Sequence, residues 1–591
     1  MDLNRKGLAV AALGALMAAG VVFRPDQSIS AQSLSEAEVY REIGYVPLKD
    51  GVKIGYTVYR PKKEGRYPVL LQYDPYASGG LPWSEPIQDY LEHGYAVVGA
   101  NVRGAGCSGG EFSLFGPHEG VDGAEVVEYL GVQPWSTGAV GMVGNSYPGH
   151  TQILTGAQRP LHLKALAAGG LTTSIYREAF RPGGIMNVSF ASRWSFLLQP
   201  ASSRQAADAR IRMGDRECEA VRAKQRPNRT FYDTRDHPLH DEFWNVRSLD
   251  THVERVNVPM MIVQGWQDHQ TAVGGPGLFE KLKGPKKMIL QTGGHGVYRR
   301  SSIRAEAIRW LDRWLKGEQN GIDKEPPVTI WFEVRDTPGP PKAGWVANYS
   351  DWPVPETQWQ ELYLTASGKL SAQKPSTPDD TADRVYTFPS ATELVGNNMQ
   401  FANAPDASGA LTYRSLPMED DLGLLGAPQI SFQVTSEQKD TDFMVAMHDI
   451  SPAGDTLYLQ RGFLRASMRA LDPARSTPHR LFYAFTNPQQ VVPGQRYEIK
   501  IGLPPLGHVF RRGHVIELVI MSPGATPTPD WGLMPVDLPG RNTVHHSAEH
   551  AATLRLPIIP GLKAQAPPPP CGSTEFQPCR PAPTPPTTTA R

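Results

Sequence analysis

The residues able to do chemistry in this chain concentrate in four short segments. The first is GMVGNSYPG, residues 141–149, in which Ser146 stands two positions after Gly144 and three before Gly149. An apolar run ending at Gly144 and a helical pattern beginning after Ser146 describe a sharp strand-to-helix turn. A serine held in a strained backbone position there needs small neighbours. The strict G-x-S-x-G pattern has glycine at the fifth place, where this chain has Pro148. Proline is tolerated in a first helical turn, because an N–H there has no intrahelical acceptor. The second segment, VPMMIVQG at 258–265, leads into Trp266, Gln267 and Asp268; the third, KMILQT at 287–292, leads into Gly293, Gly294 and His295. The fourth is Tyr73-Asp74-Pro75-Tyr76, again just past an apolar run. Serine, acid and histidine in this order, each at the carboxyl end of a strand, are placed where sites form in open sheets.

The chemistry expected of such a set is acyl transfer. His295 takes the proton of Ser146 as the hydroxyl attacks a carbonyl, then delivers it to the leaving group. Asp268 fixes the imidazole tautomer and stabilises the imidazolium. The backbone N–H of Tyr147, next after the serine, is an expected donor to the developing oxyanion.

The elements that must hold these residues read as an α/β fold. Apolar, β-branched runs at 53–59, 68–73, 95–102, 139–144, 163–169, 258–265 and 287–292 alternate with helical windows such as DGAEVVEYL at 122–130. That alternation predicts a mostly parallel sheet covered on both faces. The expected divisions are 1–31 as an address segment, 32–171 and 257–325 as two parts of one core, and 172–256 as an inserted helical cap. Residues 326–562, with closely spaced β segments such as QISFQVT and VIELVIM, predict a sandwich or jelly roll. The Pro- and Thr-rich residues 563–591 predict disorder.

Composition narrows the function. Lys plus Arg and Asp plus Glu number 59 each, which argues against a nucleic-acid binder needing a basic excess. Arg5 and Lys6 precede the apolar run 7–23, the pattern of a secretory signal. Export to the periplasm or exterior is expected; the alternative is an anchor through 7–23, near the lower length limit for a membrane span. Four cysteines exclude a disulfide scaffold. Cys571 and Cys579 are candidates to pair after export, whereas Cys107 and Cys218 are expected to stand alone. GAGCSG at 104–109 imitates a dinucleotide loop but precedes a turn-like stretch, and HSAEH at 546–550 imitates a zinc motif outside any helix.

Several segments together resemble the cocaine esterase and X-prolyl dipeptidyl peptidase group of serine hydrolases. They are Asp74-Pro75-Tyr76, VRGAGCSGGEF at 102–112, PWSTGAVGMVGNSYPG at 134–149, GWQD at 265–268, and LPMEDDLGLLGAP, GFLRASMR and FRRGHVIELVI in the last third. The resemblance implies an α/β-hydrolase core, a helical cap and a C-terminal jelly roll, with no metal or organic cofactor. It also implies that the Tyr76 hydroxyl is the second oxyanion donor. Family members acting on α-amino acid esters carry carboxylates two and three positions after the acid; here Gln270 and Thr271 stand there. Trp194, Asp74 and Trp266 are the candidate substrate contacts, although Asp74 reads first as a turn residue before Pro75 and Trp194 reads equally as a core tryptophan. The expected function is a serine hydrolase of a carboxylic ester or amide; the alternatives are an Xaa-Pro dipeptidyl-peptidase and a non-catalytic surface binding protein. The expected partner is a small ester, amide or short peptide. No nucleic acid is expected, and no membrane unless 7–23 is retained; a homo-oligomer is left open.

Overall fold

A computed structural model describes residues 35–582 apart from 336–340, 377–382, 389–393, 396–399, 402–407, 524–531, 535–538 and 575. The address segment 1–31 and the end of the tail, 583–591, lie outside the described residues.

Ten strands form the core sheet: β1 (Val39–Pro47), β2 (Lys53–Pro61), β3 (Tyr67–Asp74), β4 (Ala96–Asn101), β5 (Ser136–Asn145), β6 (Leu163–Gly169), β7 (Met260–Gly265), β8 (Lys286–Gln291), β9 (Val328–Phe332) and β10 (Trp345–Tyr349). Their order is β1-β2-β4-β3-β5-β6-β7-β8-β9-β10. The pairs from β4 through β9 are parallel, and those at the two edges are antiparallel. The expected start of the β-rich portion at 326 thus falls inside the core, because β9 and β10 complete its sheet.

Both faces of the middle of this sheet are buried, which is why its parallel strands carry apolar runs. Val69 and Leu71 of β3 and Met142 of β5 join one core with Val126, Val127, Leu130, Ile153 and Leu154 of helices Pro117–Gly131 and Tyr147–Gly156. The intervening Leu70 and Val143 join the opposite core with Tyr90 and Leu91 of helix Glu85–Glu92 and Ile303 and Ile308 of helix Ser301–Leu311. Side chains that alternate along a strand therefore meet helices either way.

Between β6 and β7 the chain forms short helices, among them Val188–Arg193, Gln199–Arg212 and Arg216–Arg222. Cys218 reaches back to Cys107 in a disulfide, so these two cysteines do not stand alone. Their pairing joins points 111 residues apart and could be seen only once the loop after β4 and the cap were side by side.

Beyond β10 lies a separate all-β domain of antiparallel sheets. One contains Gln429–Ser436 and Ala552–Ile558; another is ordered Ala410–Arg414, Val515–Met521, Asp442–Ile450, Thr456–Arg465, Cys579–Arg580. Phe432 and Phe443 meet edge to face between them, 5.5 Å apart. The expectation of a disordered tail is corrected for 563–582: Cys579–Arg580 pairs with Thr456–Leu457, and Cys571 is bonded to Cys579. Backbone pairing and a disulfide outweigh the composition there.

Candidate active site

Ser146 sits at the junction of β5 and helix Tyr147–Gly156, with φ 70° and ψ −127°. A non-glycine residue in that region costs about 1–3 kcal/mol and persists only where the surroundings impose it. Here its N–H donates to the Gly169 carbonyl (2.8 Å), and its own carbonyl accepts from the Gly149 N–H (2.8 Å). The flanking glycines are sterically required. A Cβ on Gly144, itself at φ 143°, would stand 2.6 Å from Pro148 Cβ, and one on Gly149 would stand 2.7 Å from the Gly169 oxygen. Pro148 is tolerated in the first turn, as its position in the helix requires.

Asp268 and His295 end the loops after β7 and β8. The two Asp268 oxygens lie 3.0 and 2.9 Å from His295 Nδ1. Asp268 is buried and also accepts from Thr271 Oγ1 (2.6 Å), Gln264 Nε2 (2.9 Å) and the N–H groups of Gln270 and Thr271 (3.1 Å each). Burial opposes charge on this carboxylate, but His295 and the converging donors outweigh it and hold its pKa below the ordinary value. The histidine loop is tied to the serine loop, since Asn145 Nδ2 donates to the His295 carbonyl (2.8 Å). A Cβ on Gly170 would stand 3.0 Å from both His295 Cε1 and Asn145 Oδ1, so the loops close on one another with no room for a side chain.

Tyr76 is held from below and above. Its N–H donates to Asp74 Oδ1 (2.8 Å), and its carbonyl accepts from Asn101 Nδ2 (2.8 Å). Its hydroxyl oxygen accepts from Trp194 Nε1 (2.8 Å). Among the described residues the phenolic proton has no acceptor, so it is available to a ligand. Burial pushes the phenol up, keeping it protonated. The Tyr147 ring stacks on Trp194 (6.1 Å, 2° between planes) and meets Tyr76 edge-on at 5.8 Å. Its hydroxyl donates to Glu119 Oε2 (2.9 Å), a buried carboxyl that burial raises well above the usual range.

These groups border a cavity of about 30 Å³ walled by Phe115, Phe180, Phe190 and Trp194, with Ser146, Tyr76 and Gln270 on its lining. Among the described residues, no carboxylate and no cation lines it. A strained hydroxyl and a free phenolic proton border this apolar cavity, and an imidazole oriented by a carboxylate lies on the loop tied to the serine's; such groups can activate an oxygen nucleophile and stabilise an oxyanion.

Two expected substrate contacts lie elsewhere. Asp74 is buried with its oxygens taken by the Tyr76 N–H, Ser78 Oγ (2.5 Å) and Gln72 Nε2 (3.0 Å), so it shapes the turn instead of facing a ligand. Trp266 is fully buried against Gly507 and Trp352 of the other side of the molecule, and its carbonyl accepts from Gln460 Nε2 (2.8 Å). Trp194 does border the cavity, with an added task as donor to Tyr76. Thr271, singled out in the sequence as a missing carboxylate, serves Asp268 instead.

His150 escaped the sequence reading. Burial lowers its pKa to about 4, leaving it neutral. Nδ1 faces the Ser146 carbonyl (2.8 Å) and must donate, while Nε2 accepts the Thr172 N–H (3.2 Å). Its place one helical turn after Ser146 was the available signal. As for the imitative motifs, Gly104 N–H bonds the Gly109 carbonyl in a closed turn, and His546 bonds the Tyr413 hydroxyl (2.7 Å) outside any helix.

Residues 50–297 match the X-Pro dipeptidyl-peptidase (S15 family), and residues 320–555 match the X-Pro dipeptidyl-peptidase C-terminal non-catalytic domain. The chain thus carries an S15-type hydrolase domain followed by an X-Pro dipeptidyl-peptidase-type C-terminal domain. The chain is 26% identical to the cocaine esterase of a Rhodococcus species, over 87% of the chain and 97% of that protein. It is 23% identical to a putative Xaa-Pro dipeptidyl-peptidase of Bacillus cereus, over 83% and 86%. Its fold matches a CocE/NonD family hydrolase from Staphylococcus aureus (TM-score 0.74, 21% identity, 88% and 94% covered). It also matches an α-amino acid ester hydrolase (TM-score 0.70, 20% identity, 92% and 100% covered). The chain is therefore a serine hydrolase enzyme with a hydrolase core and an all-β C-terminal domain, not a non-catalytic binding protein.

Proposed function

We propose that this serine hydrolase cleaves a carboxylic ester or amide of an uncharged acyl group through an acyl-enzyme on Ser146. The Ser146 hydroxyl attacks the carbonyl carbon while its proton passes to His295, oriented by Asp268. Tyr76 Oη and the Tyr147 N–H donate to the oxyanion, the proton returns to the departing alkoxide or amine, and a water repeats the sequence to free the acid. The observation that carries this reading is the juxtaposition of the strained Ser146 and the unaccepted Tyr76 proton on one apolar cavity.

The neutral lining supports an uncharged acyl group. A peptidase that releases Xaa-Pro dipeptides must hold an N-terminal ammonium, and no carboxylate lines the cavity among the described residues. Two disulfides support export, since such bonds persist in oxidising compartments. Among the described residues, no helix is long and apolar enough to cross a membrane.

The test is a panel of p-nitrophenyl esters, aminoacyl esters, Xaa-Pro anilides and β-lactam amides, run beside Ser146→Ala. Neutral acyl esters are expected to turn over fastest, with all turnover lost in the variant. Xaa-Pro anilides far outpacing simple esters would overturn the substrate reading, and a fully active Ser146→Ala would overturn the mechanism.

A further inference from the structure

Residues 563–574 and 576–582 form a strap that returns to the acid and base loops. Arg511 Nη1 donates to the Ala566 carbonyl (2.8 Å), Arg335 Nη2 donates to that of Pro567, and Thr574 bridges to Arg335. Farther on, the Tyr458 N–H donates to the Pro578 carbonyl (2.8 Å), and the Ala582 N–H donates to Asp455 Oδ1 (2.9 Å). The disulfide between Cys571 and Cys579 closes the stretch between these anchors.

Phe576 lies within that closed stretch, at φ 56°. An L-residue in the left-handed region costs about 1–2 kcal/mol, more than a solvent-facing loop tip with no task would retain. Its ring rests on the backbone of Gly294: a Cβ there would stand 2.4 Å from Phe576 Cγ. The same ring lies 6.3 Å from that of His269, centroid to centroid. Gly294 immediately precedes His295, and His269 immediately follows Asp268. One aromatic side chain therefore lies against the residue before His295 and near the residue after Asp268.

The loops it touches are already joined. The Gln267 N–H donates to the Gly293 carbonyl (2.9 Å), and the Gly293 N–H donates to Gln267 Oε1 (3.0 Å). Gln267 Nε2 and Gln460 Nε2 connect the acid loop to strand Thr456–Arg465, at Leu459 (3.3 Å) and Trp266 (2.8 Å) respectively. That strand is the one on which Cys579–Arg580 pairs. Strap, β domain and both loops thus form one connected block.

We infer that Phe576 is a positioning residue: the disulfide-closed strap presses its ring onto Gly294 and sets the depth of the His295 imidazole relative to Ser146. This rests on the triad proposed above. A proton-transfer geometry displaced by 1 Å loses on the order of a hundredfold in rate, so a missing ring beside a glycine-rich loop is enough to matter.

The test compares Phe576→Ala, Phe576→Leu and the Cys571→Ser/Cys579→Ser pair with the wild-type protein on one p-nitrophenyl ester. Burst titration counts competent sites, so that turnover is expressed per titrated site. Phe576→Ala is expected to lower kcat per site about tenfold at an unchanged KM and to move the acid midpoint of the pH profile. Phe576→Leu restores most of both, and the cysteine pair shifts them the same way by a smaller factor. A wild-type kcat per site and pH midpoint in Phe576→Ala overturns the inference, as does an activity loss accounted for wholly by fewer titratable sites. If Ser146→Ala keeps turnover, the triad itself has failed; if it is inactive while Phe576→Ala behaves as wild type, only the strap's role has failed.

Discussion

Replacing Tyr76 by Phe removes one oxygen from the site and isolates the task assigned to it. The ring is partly buried and meets Tyr147 and Trp194, contacts a phenylalanine preserves, so the loss is confined to the hydroxyl. One preorganised oxyanion donor is worth about 10²–10³ in kcat, roughly 2.7–4 kcal/mol, with KM little changed because the oxyanion exists only near the transition state. Trp194 acts one step behind. Its N–H orders the Tyr76 oxygen at 2.8 Å, and a neutral hydrogen bond contributes about 0.5–1.5 kcal/mol net. Trp194→Phe should therefore lower kcat by about two- to tenfold. In the Tyr76→Phe background that factor should nearly vanish, because the group it orders is gone. Steady-state hydrolysis of a p-nitrophenyl ester by the four proteins measures the cycle. A Tyr76→Phe enzyme within fivefold of wild type, or a Trp194 effect of equal size in both backgrounds, refutes the argument.

Two further outcomes concern stability. The depressed His150 pKa means that the unfolded chain binds a proton between about pH 6.5 and 4 that the folded chain refuses, so stability falls as pH drops through that window, by about 3 kcal/mol from this residue. Urea midpoints at pH 7 and 4.5 should differ less in His150→Gln than in wild type; an equal difference removes His150 as the cause. The Cys107–Cys218 bond closes 111 residues of chain, for which loop entropy gives about 4–5 kcal/mol. Paired serine substitutions should lower the denaturation free energy by several kcal/mol while the esterase activity of the remaining folded protein persists, and unaltered urea curves would count against a stabilising bond.

The core and its site were legible because their signals are local. A buried parallel strand carries an apolar run through its middle, as AVGMV of β5, MMIV of β7 and MIL of β8 do, and a strained turn must flank its serine with glycine, as Gly144 and Gly149 do. Even the departures were informative: Gln270 and Thr271 announced a site without the extra carboxylates, although not that Thr271 binds Asp268. Trp266 was misplaced, and only the second reading of Asp74 failed, because a strand end has two sides and burial direction is invisible one residue at a time.

The order of residues along the chain carried the identity and sequence of the groups: a serine, an acid and a histidine at strand ends, a tyrosine in the turn after β3, and a β-rich second half. Tertiary structure alone decided the pairings that span long stretches of chain, among them Trp194 with Tyr76 across 118 residues, Cys218 with Cys107, and the strap's Phe576 with Gly294. The physical reason is range. Backbone propensity and periodicity act over a few residues, whereas a hydrogen bond, disulfide or packed ring depends on where distant segments arrive after the sheets have closed.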